Sequence, residues 1–128
     1  MFEVEAGRIK DLSGADIAWV SVSTALVMLM TPALAFFYGG LVRKKNLASV
    51  LAQCFAIFAV VSLVWTLWGY SLSFGTSRGG VIGDLSLFDL NGIGPTTLGR
   101  YAPNIPEMLY FAFELMFAAI TPALIIGA

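Results

Sequence analysis

The feature that most constrains the fold is a short basic turn between two long runs that contain no charged residue. Residues 17–42 and 46–77 contain no Asp, Glu, Lys or Arg, and between them stand Arg43, Lys44 and Lys45. Each run is long enough to cross a hydrocarbon core of about 30 Å as a helix. The pattern predicts a membrane hairpin, and the positive-inside rule places its turn on the cytoplasmic side.

The amino-acid composition indicates that lipid rather than water surrounds most of the chain. Hydrophobic residues make up 59% of the 128 residues and charged residues 12%, whereas a soluble domain has about 25% charged residues. A soluble chain of this size leaves roughly a third of its surface exposed and could not hide so much apolar area. The chain has no histidine, and its one cysteine, Cys54, excludes an intrachain disulfide. We expect no metal site, no cofactor and no nucleic-acid partner.

The sequence predicts an all-α membrane protein with three transmembrane helices. The predicted segments are a polar tail over residues 1–16, spans over 17–38, 47–74 and 108–128, and a connection over 75–107. With the basic turn in the cytoplasm, the tail and the connection both lie outside the cell. The long connection is either a functional loop or disordered, and residues 81–90 form either extended or helical pieces. We also expect Asn104 to cap the third span, with Glu107 at the third helical position.

Three neighbouring side chains of the third span are candidates for chemistry. Glu114 is the one acid inside an apolar run, and an intramembrane carboxylate usually faces a cavity or a partner. It is either a buried acid, protonated or paired with a polar neighbour, or a cation-attracting group near an outer vestibule. Phe113 and Phe117 share one helix face. They either pack against lipid or the core, or form an aromatic face that attracts a cation and closes a narrow pore.

Three motifs give the chain a family resemblance. They are TPALAFFYGGLVRKKN at residues 31–46, WTLWGYSLSFG at 65–75 and MFAAITPALIIGA at 116–128. They resemble the first three spans of the ammonium transporter family (Amt, related to the Rh proteins). The resemblance implies the start of an eleven-span fold in the plasma or inner membrane, with the N-terminus outside. It also implies a homotrimer with one pore in each subunit.

The resemblance further implies roles for individual residues. Phe113 and Phe117 match phenylalanines of the outer pore, where the family recruits ammonium, and Phe117 matches one of two stacked rings that gate it. Phe37 and Tyr38 match residues near the cytoplasmic mouth. The face on which PII-type nitrogen-signalling proteins dock carries the basic turn, Arg43, Lys44, Lys45 and Asn46.

Two features depart from the family's pattern. The family usually has glutamine where this chain has Glu114, so the outer pore gains a carboxylate that either strengthens cation capture or traps the ion. The two mid-membrane histidines of the family are absent from this chain. We therefore expect the N-terminal part of a transporter or channel for ammonium or ammonia, inactive alone and without enzymatic activity. The alternative is a membrane module derived from the family that senses or assembles but does not transport.

Overall fold

The computed structural model describes residues 12–126, so most of the predicted polar tail lies outside the described residues. Within them the chain forms four α-helices and one two-stranded antiparallel sheet. The helices are α1 (Gly14–Leu41), α2 (Leu47–Val64), α3 (Tyr70–Phe74) and α4 (Glu107–Ile126), and the strands are β1 (Ser77–Arg78) and β2 (Ile82–Gly83). A 3₁₀ turn over Lys44–Asn46 precedes α2, and a π-helical turn over Trp65–Gly69 joins α2 to α3.

Three helical stretches of the described chain are long and apolar enough to cross a membrane. They are Gly14–Leu41, Lys44–Phe74 and Glu107–Ile125. The middle stretch comprises the 3₁₀ turn, α2, the π-helical turn and α3 in succession. Helices α1, α2 and α4 all pack against one another. The prediction of an all-α membrane protein with three transmembrane helices is confirmed.

The first helix has clear start and stop signals. The Ser13 side chain caps α1, because its Oγ accepts a hydrogen bond from the Asp16 N–H at 3.3 Å. Asp16 adds negative charge to the first turn, where the helix dipole favours it. The helix continues through Pro32 to Leu41, and Val42 then adopts extended backbone that leads into the basic turn.

Contacts between distant residues define two ends of the helix bundle. At the loop end, the Ser13 N–H donates to the Asn104 carbonyl at 2.9 Å, and the Asn104 side-chain amide donates to Asp16 Oδ2 at 3.3 Å. The predicted cap of the third span by Asn104 is wrong, because α4 begins at Glu107 itself. At the turn end, the Tyr38 hydroxyl donates to the Leu124 carbonyl at 3.4 Å. The starts of α1 and α4 therefore lie at the loop end, and the basic turn lies at the other.

The connection between α3 and α4 contains both extended and helical pieces. Strands β1 and β2 pair through a turn that contains Gly79 and Gly80, whose φ angles are 65° and 74°. Glycine adopts this left-handed region without steric cost. A 3₁₀ turn follows at Phe88–Leu90, and an isolated bridge pairs Leu98 with Pro106 just before α4. The two alternatives for residues 81–90 are therefore both present.

The connection packs tightly on the end of α3. The buried Ser71 hydroxyl donates to the Asp84 carbonyl at 2.8 Å and accepts from the Leu87 N–H at 3.0 Å. A Cβ atom on Gly83 would lie 2.6 Å from the Ser71 carbonyl oxygen, so only glycine allows the hairpin to approach so closely. Leu87 then enters a buried cluster with Tyr70 and Phe111. The connection thus forms a structured cover over the loop end.

A surface carboxylate in this cover should make its stability depend on pH. Asp84 Oδ1 accepts from the Ser86 hydroxyl at 2.6 Å, the Ser86 N–H at 3.1 Å and the Thr76 N–H at 3.2 Å. These bonds, the Ser86 hydroxyl first, lower the pKa of Asp84 below its usual value. Because the pKa is lower in the folded chain, the stabilisation is complete above about pH 4 and is lost as the pH falls through the folded pKa. We expect hydrogen-exchange protection factors at Thr76 and Ser86 to fall in that range. In Asp84→Asn the protection factors at Thr76 and Ser86 should be lower at neutral pH and should not change with pH. If the variant keeps the pH dependence of the wild type, Asp84 is not the group responsible.

Candidate functional site

One face of α4 carries polar and aromatic side chains along an otherwise apolar helix. We call Tyr110, Glu114, Phe117 and Thr121 the α4 stripe; their spacing of four, three and four residues places them on one face. The opposite face packs into the bundle and comprises Phe111, Met116, Ala119, Ile120 and Ala123. Tyr110 and Glu114 are half-buried, while Phe117 and Thr121 are exposed. The stripe therefore lies on the less buried side of α4, and of its four side chains Tyr110 contacts Phe74 at the end of the second membrane-spanning stretch.

The three residues singled out on the third span lie together in the structure. The rings of Phe113 and Phe117 meet edge to face, with centroids 5.1 Å apart and an interplanar angle of 71°. Glu114 lies between them in sequence, and its carboxylate lies beside Tyr110 one helical turn nearer the loop end. From Glu107 to Phe117 the helix rises about 15 Å, roughly half of a hydrocarbon core. The stripe thus leads from the loop end towards the middle of the span.

An aromatic cluster covers the loop end of the stripe. The rings of Tyr101 and Tyr110 are nearly parallel, with centroids 6.2 Å apart and an interplanar angle of 27°. Phe74 contacts both rings edge to face, at 5.4 Å from Tyr101 and 5.3 Å from Tyr110. Tyr101 is 60% exposed, so much of this residue is uncovered. The sequence reasoning missed this cluster because Tyr101 belongs to an irregular segment with no periodicity.

A buried carboxylate fastens the start of α4. Glu107 is 1% exposed, and the Tyr70 hydroxyl donates to its Oε1. The backbone N–H of Arg100 donates to Oε2 at 2.6 Å. Glu107 therefore joins α3, the connection and α4, and its position in the first helical turn also suits the helix dipole. Sequence reasoning took it for a capping residue at the edge of the loop and missed its burial.

The predicted inner-mouth residues and the basic turn lie at the turn end of the bundle, far from the part of the α4 stripe at the loop end. Phe37 is 62% exposed, and its ring meets Tyr38 edge to face with centroids 5.5 Å apart. The Tyr38 hydroxyl reaches the last turns of α4 through the Leu124 carbonyl. The side chains of Arg43, Lys44, Lys45 and Asn46 are all exposed. The structure therefore separates the two predicted groups and places one at each end of the same bundle.

Comparison with known proteins identifies the family. The model of the Ammonium Transporter Family matches residues 18–128. The chain belongs to this family. The matched range contains the α4 stripe, Glu107 with its partners, the Phe37–Tyr38 pair and the basic turn.

Individual relatives and solved structures agree with this family assignment. The chain is 46% identical over 116 residues to Ammonium transporter 1 of Schizosaccharomyces pombe, covering 88% of this chain and 22% of the relative. It is 46% identical over 121 residues to a putative ammonium transporter of Methanothermobacter thermautotrophicus, covering 91% and 29% respectively. The crystal structure of Saccharomyces cerevisiae Mep2 superposes with a TM-score of 0.76 at 35% identity, over 91% of this chain and 26% of that one. The chain therefore spans about a quarter of the length of these three proteins.

Proposed function

We propose that this chain forms part of the wall of a pore that moves ammonium or ammonia across a membrane, with the α4 stripe lining its outer half. The observation that carries the proposal is Glu114, a half-buried carboxylate on the less buried face of an otherwise apolar transmembrane helix. A carboxylate is costly in lipid and is usually kept where it faces a pathway or a partner. Because the relatives are named transporters, we propose transport and no enzymatic reaction.

Each residue of the proposed pathway has a distinct physical role. Glu114 attracts a cation by its charge, and the rings of Phe113 and Phe117 stabilise it through their quadrupoles. The same two rings restrict the pore by their bulk and by their lack of polar groups. Phe37 and Tyr38, at the opposite end of the bundle, line the exit. A carboxylate in the entry favours capture, but conduction also requires that the ion leave.

We further propose that the N-terminus and the connection lie outside, and the basic turn inside, a plasma or inner membrane. The three basic side chains of the turn support this orientation through the positive-inside rule. In a Cys54→Ala background, an impermeant thiol reagent applied outside intact cells should label Val81→Cys and leave Lys44→Cys unlabelled. Both should be labelled after the membrane is permeabilised. The reverse pattern before permeabilisation would refute the orientation.

Assembly and regulation are also proposed on family grounds. The outward surface of α1 is strongly apolar, with Trp19 75%, Leu26 62% and Leu29 63% exposed. An apolar groove of about 390 Å³ between α1 and α2 continues this surface. Such faces are covered by lipid or by other helices, and we propose on the family resemblance that the assembly is a homotrimer. The basic turn is positively charged and exposed, which supports the proposal that a PII-type regulator docks there.

Uptake measurements test the proposed function against its alternative. The protein expressed from its complete natural reading frame should restore growth on low ammonium in cells that lack their own ammonium uptake. It should also accumulate labelled methylammonium in a saturable manner. Phe117→Ala should change this uptake, whereas Asp89→Asn, in the exposed connection, should not. A membrane-inserted protein with no uptake would refute transport and favour a sensing or assembly module.

A further inference from the structure

The open aromatic pair at the loop end is suited to bind a cation before the ion reaches Glu114. We infer that Tyr101, together with Tyr110 at the loop end of the α4 stripe, forms an outer capture site for an ammonium-type cation, which hands the ion to Glu114 and Phe117 farther along the stripe. This inference rests on the proposed transport function and adds an earlier step to it. The site lies nearer the loop end than the Phe113–Phe117 pair, because along the helix axis Tyr110 is about 4.5 Å from Phe113 and about 10 Å from Phe117.

The geometry of the two rings favours a small cation. Their nearly parallel faces are 6.2 Å apart between centroids, and a ring face attracts a cation within about 6 Å of its centroid. A cation between the rings, or on the open face of Tyr101, lies within that range. Phe74 meets both tyrosines edge to face and holds them in place from behind. These contacts favour the nearly parallel arrangement of the two rings before an ion arrives.

The exposure of the two tyrosines and the charge of Glu114 define the order in which an entering cation meets these groups. Tyr101 is 60% exposed, Tyr110 is half-buried, and Glu114 beside Tyr110 supplies a negative charge one helical turn farther in. A cation therefore meets an open aromatic face first, then a partly enclosed ring, and then a carboxylate. Coulomb attraction increases along this route as water is excluded. The order of the groups leads inwards along the same face of α4 that carries Phe117.

The four tyrosines of the chain allow a direct binding test. The protein is labelled with 3-fluorotyrosine, and its fluorine NMR resonances are assigned by single Tyr→Phe variants. Addition of ammonium or methylammonium chloride should shift Tyr101 and Tyr110. Tyr70, which is buried, and Tyr38, at the turn end, should stay unmoved and report that the fold is intact. Equal shifts with sodium chloride, or no shift at the two outer rings, would overturn the inference.

Two substitutions of Tyr101 distinguish the contribution of its aromatic ring to cation binding from that of its hydroxyl. Tyr101→Leu should raise the half-saturating methylammonium concentration about threefold, in keeping with an exposed cation–π contact, while Tyr101→Phe should leave it unchanged. Glu114→Gln should weaken the ammonium-induced shift of Tyr110, and Asp89→Asn should not. Equal effects of the leucine and phenylalanine variants would overturn the site even if wild-type uptake is normal. If the wild-type protein shows the fluorine shifts but takes up no methylammonium, the transport function is refuted and the binding site is retained.

Discussion

Replacing Glu107 with alanine is expected to unfold the loop end of the bundle. The carboxylate is buried and accepts from the Tyr70 hydroxyl and the Arg100 N–H, and its removal leaves both donors without a partner inside the protein. Each buried donor left without a partner typically costs about 1 to 3 kcal/mol. We expect a loss of that size in the free energy of unfolding, measured by denaturant titration in detergent micelles.

Milder variants distinguish the hydrogen bonds of Glu107 from the space it fills. Tyr70→Phe keeps the ring in its contacts with Phe74 and Phe111 and removes only the hydroxyl. It should cost about 1.5 to 3 kcal/mol, the usual value for a hydrogen bond to a charged group. Glu107→Gln keeps the side-chain volume and one acceptor oxygen, and should be less damaging than alanine. A Glu107→Ala protein as stable as the Asp89→Asn control would show that the buried contacts contribute little.

Substitutions of Glu114 and of Phe117 should affect different parameters of transport, the half-saturating concentration for Glu114 and selectivity or flux for Phe117. Glu114→Gln should raise the half-saturating ammonium concentration about tenfold and leave maximal flux unchanged or higher. The attraction lost is about 4 kcal/mol at 4 Å with an effective dielectric constant near 20, before the cost of desolvation is subtracted. Phe117→Ala should instead reduce selectivity or flux with less effect on half-saturation, because it removes the ring that narrows the path. Concentration-dependent uptake at fixed pH in the protein expressed from its complete natural reading frame measures both quantities.

The controls for this pair follow from the geometry of α4. Phe113→Leu keeps an apolar side chain beside Phe117 while removing the edge-to-face partner, and should give a smaller effect than Phe117→Ala. If Glu114→Gln leaves the half-saturating concentration unaltered from pH 5 to 8, the carboxylate is protonated or turned away from the ion. The proposed role of Glu114 in capture would then be wrong.

Hydrophobic patterning alone was sufficient to predict the membrane architecture. Two uncharged runs around Arg43, Lys44 and Lys45 fix two helices and the turn between them, because a charge inside a span is costly and a polar turn must return to water. Helical spacing was also sufficient to bring Phe113 and Phe117 onto neighbouring positions of one helix. These features depend only on residues close in sequence. The family resemblance follows from local motifs of the same kind, whereas the start of α4 at Glu107 does not.

The tertiary structure alone decided what surrounds the proposed pathway. Tyr70 and Glu107 lie 37 residues apart and meet only because the connection folds back over α3. The Tyr101–Tyr110 stack likewise joins an irregular segment to a helix, and no periodicity links two such partners. The π-helical turn over Trp65–Gly69 also has no signal in the hydrophobic pattern. Local sequence therefore determined which segments enter the membrane, whereas long-range packing determined which polar and aromatic groups meet at the mouth.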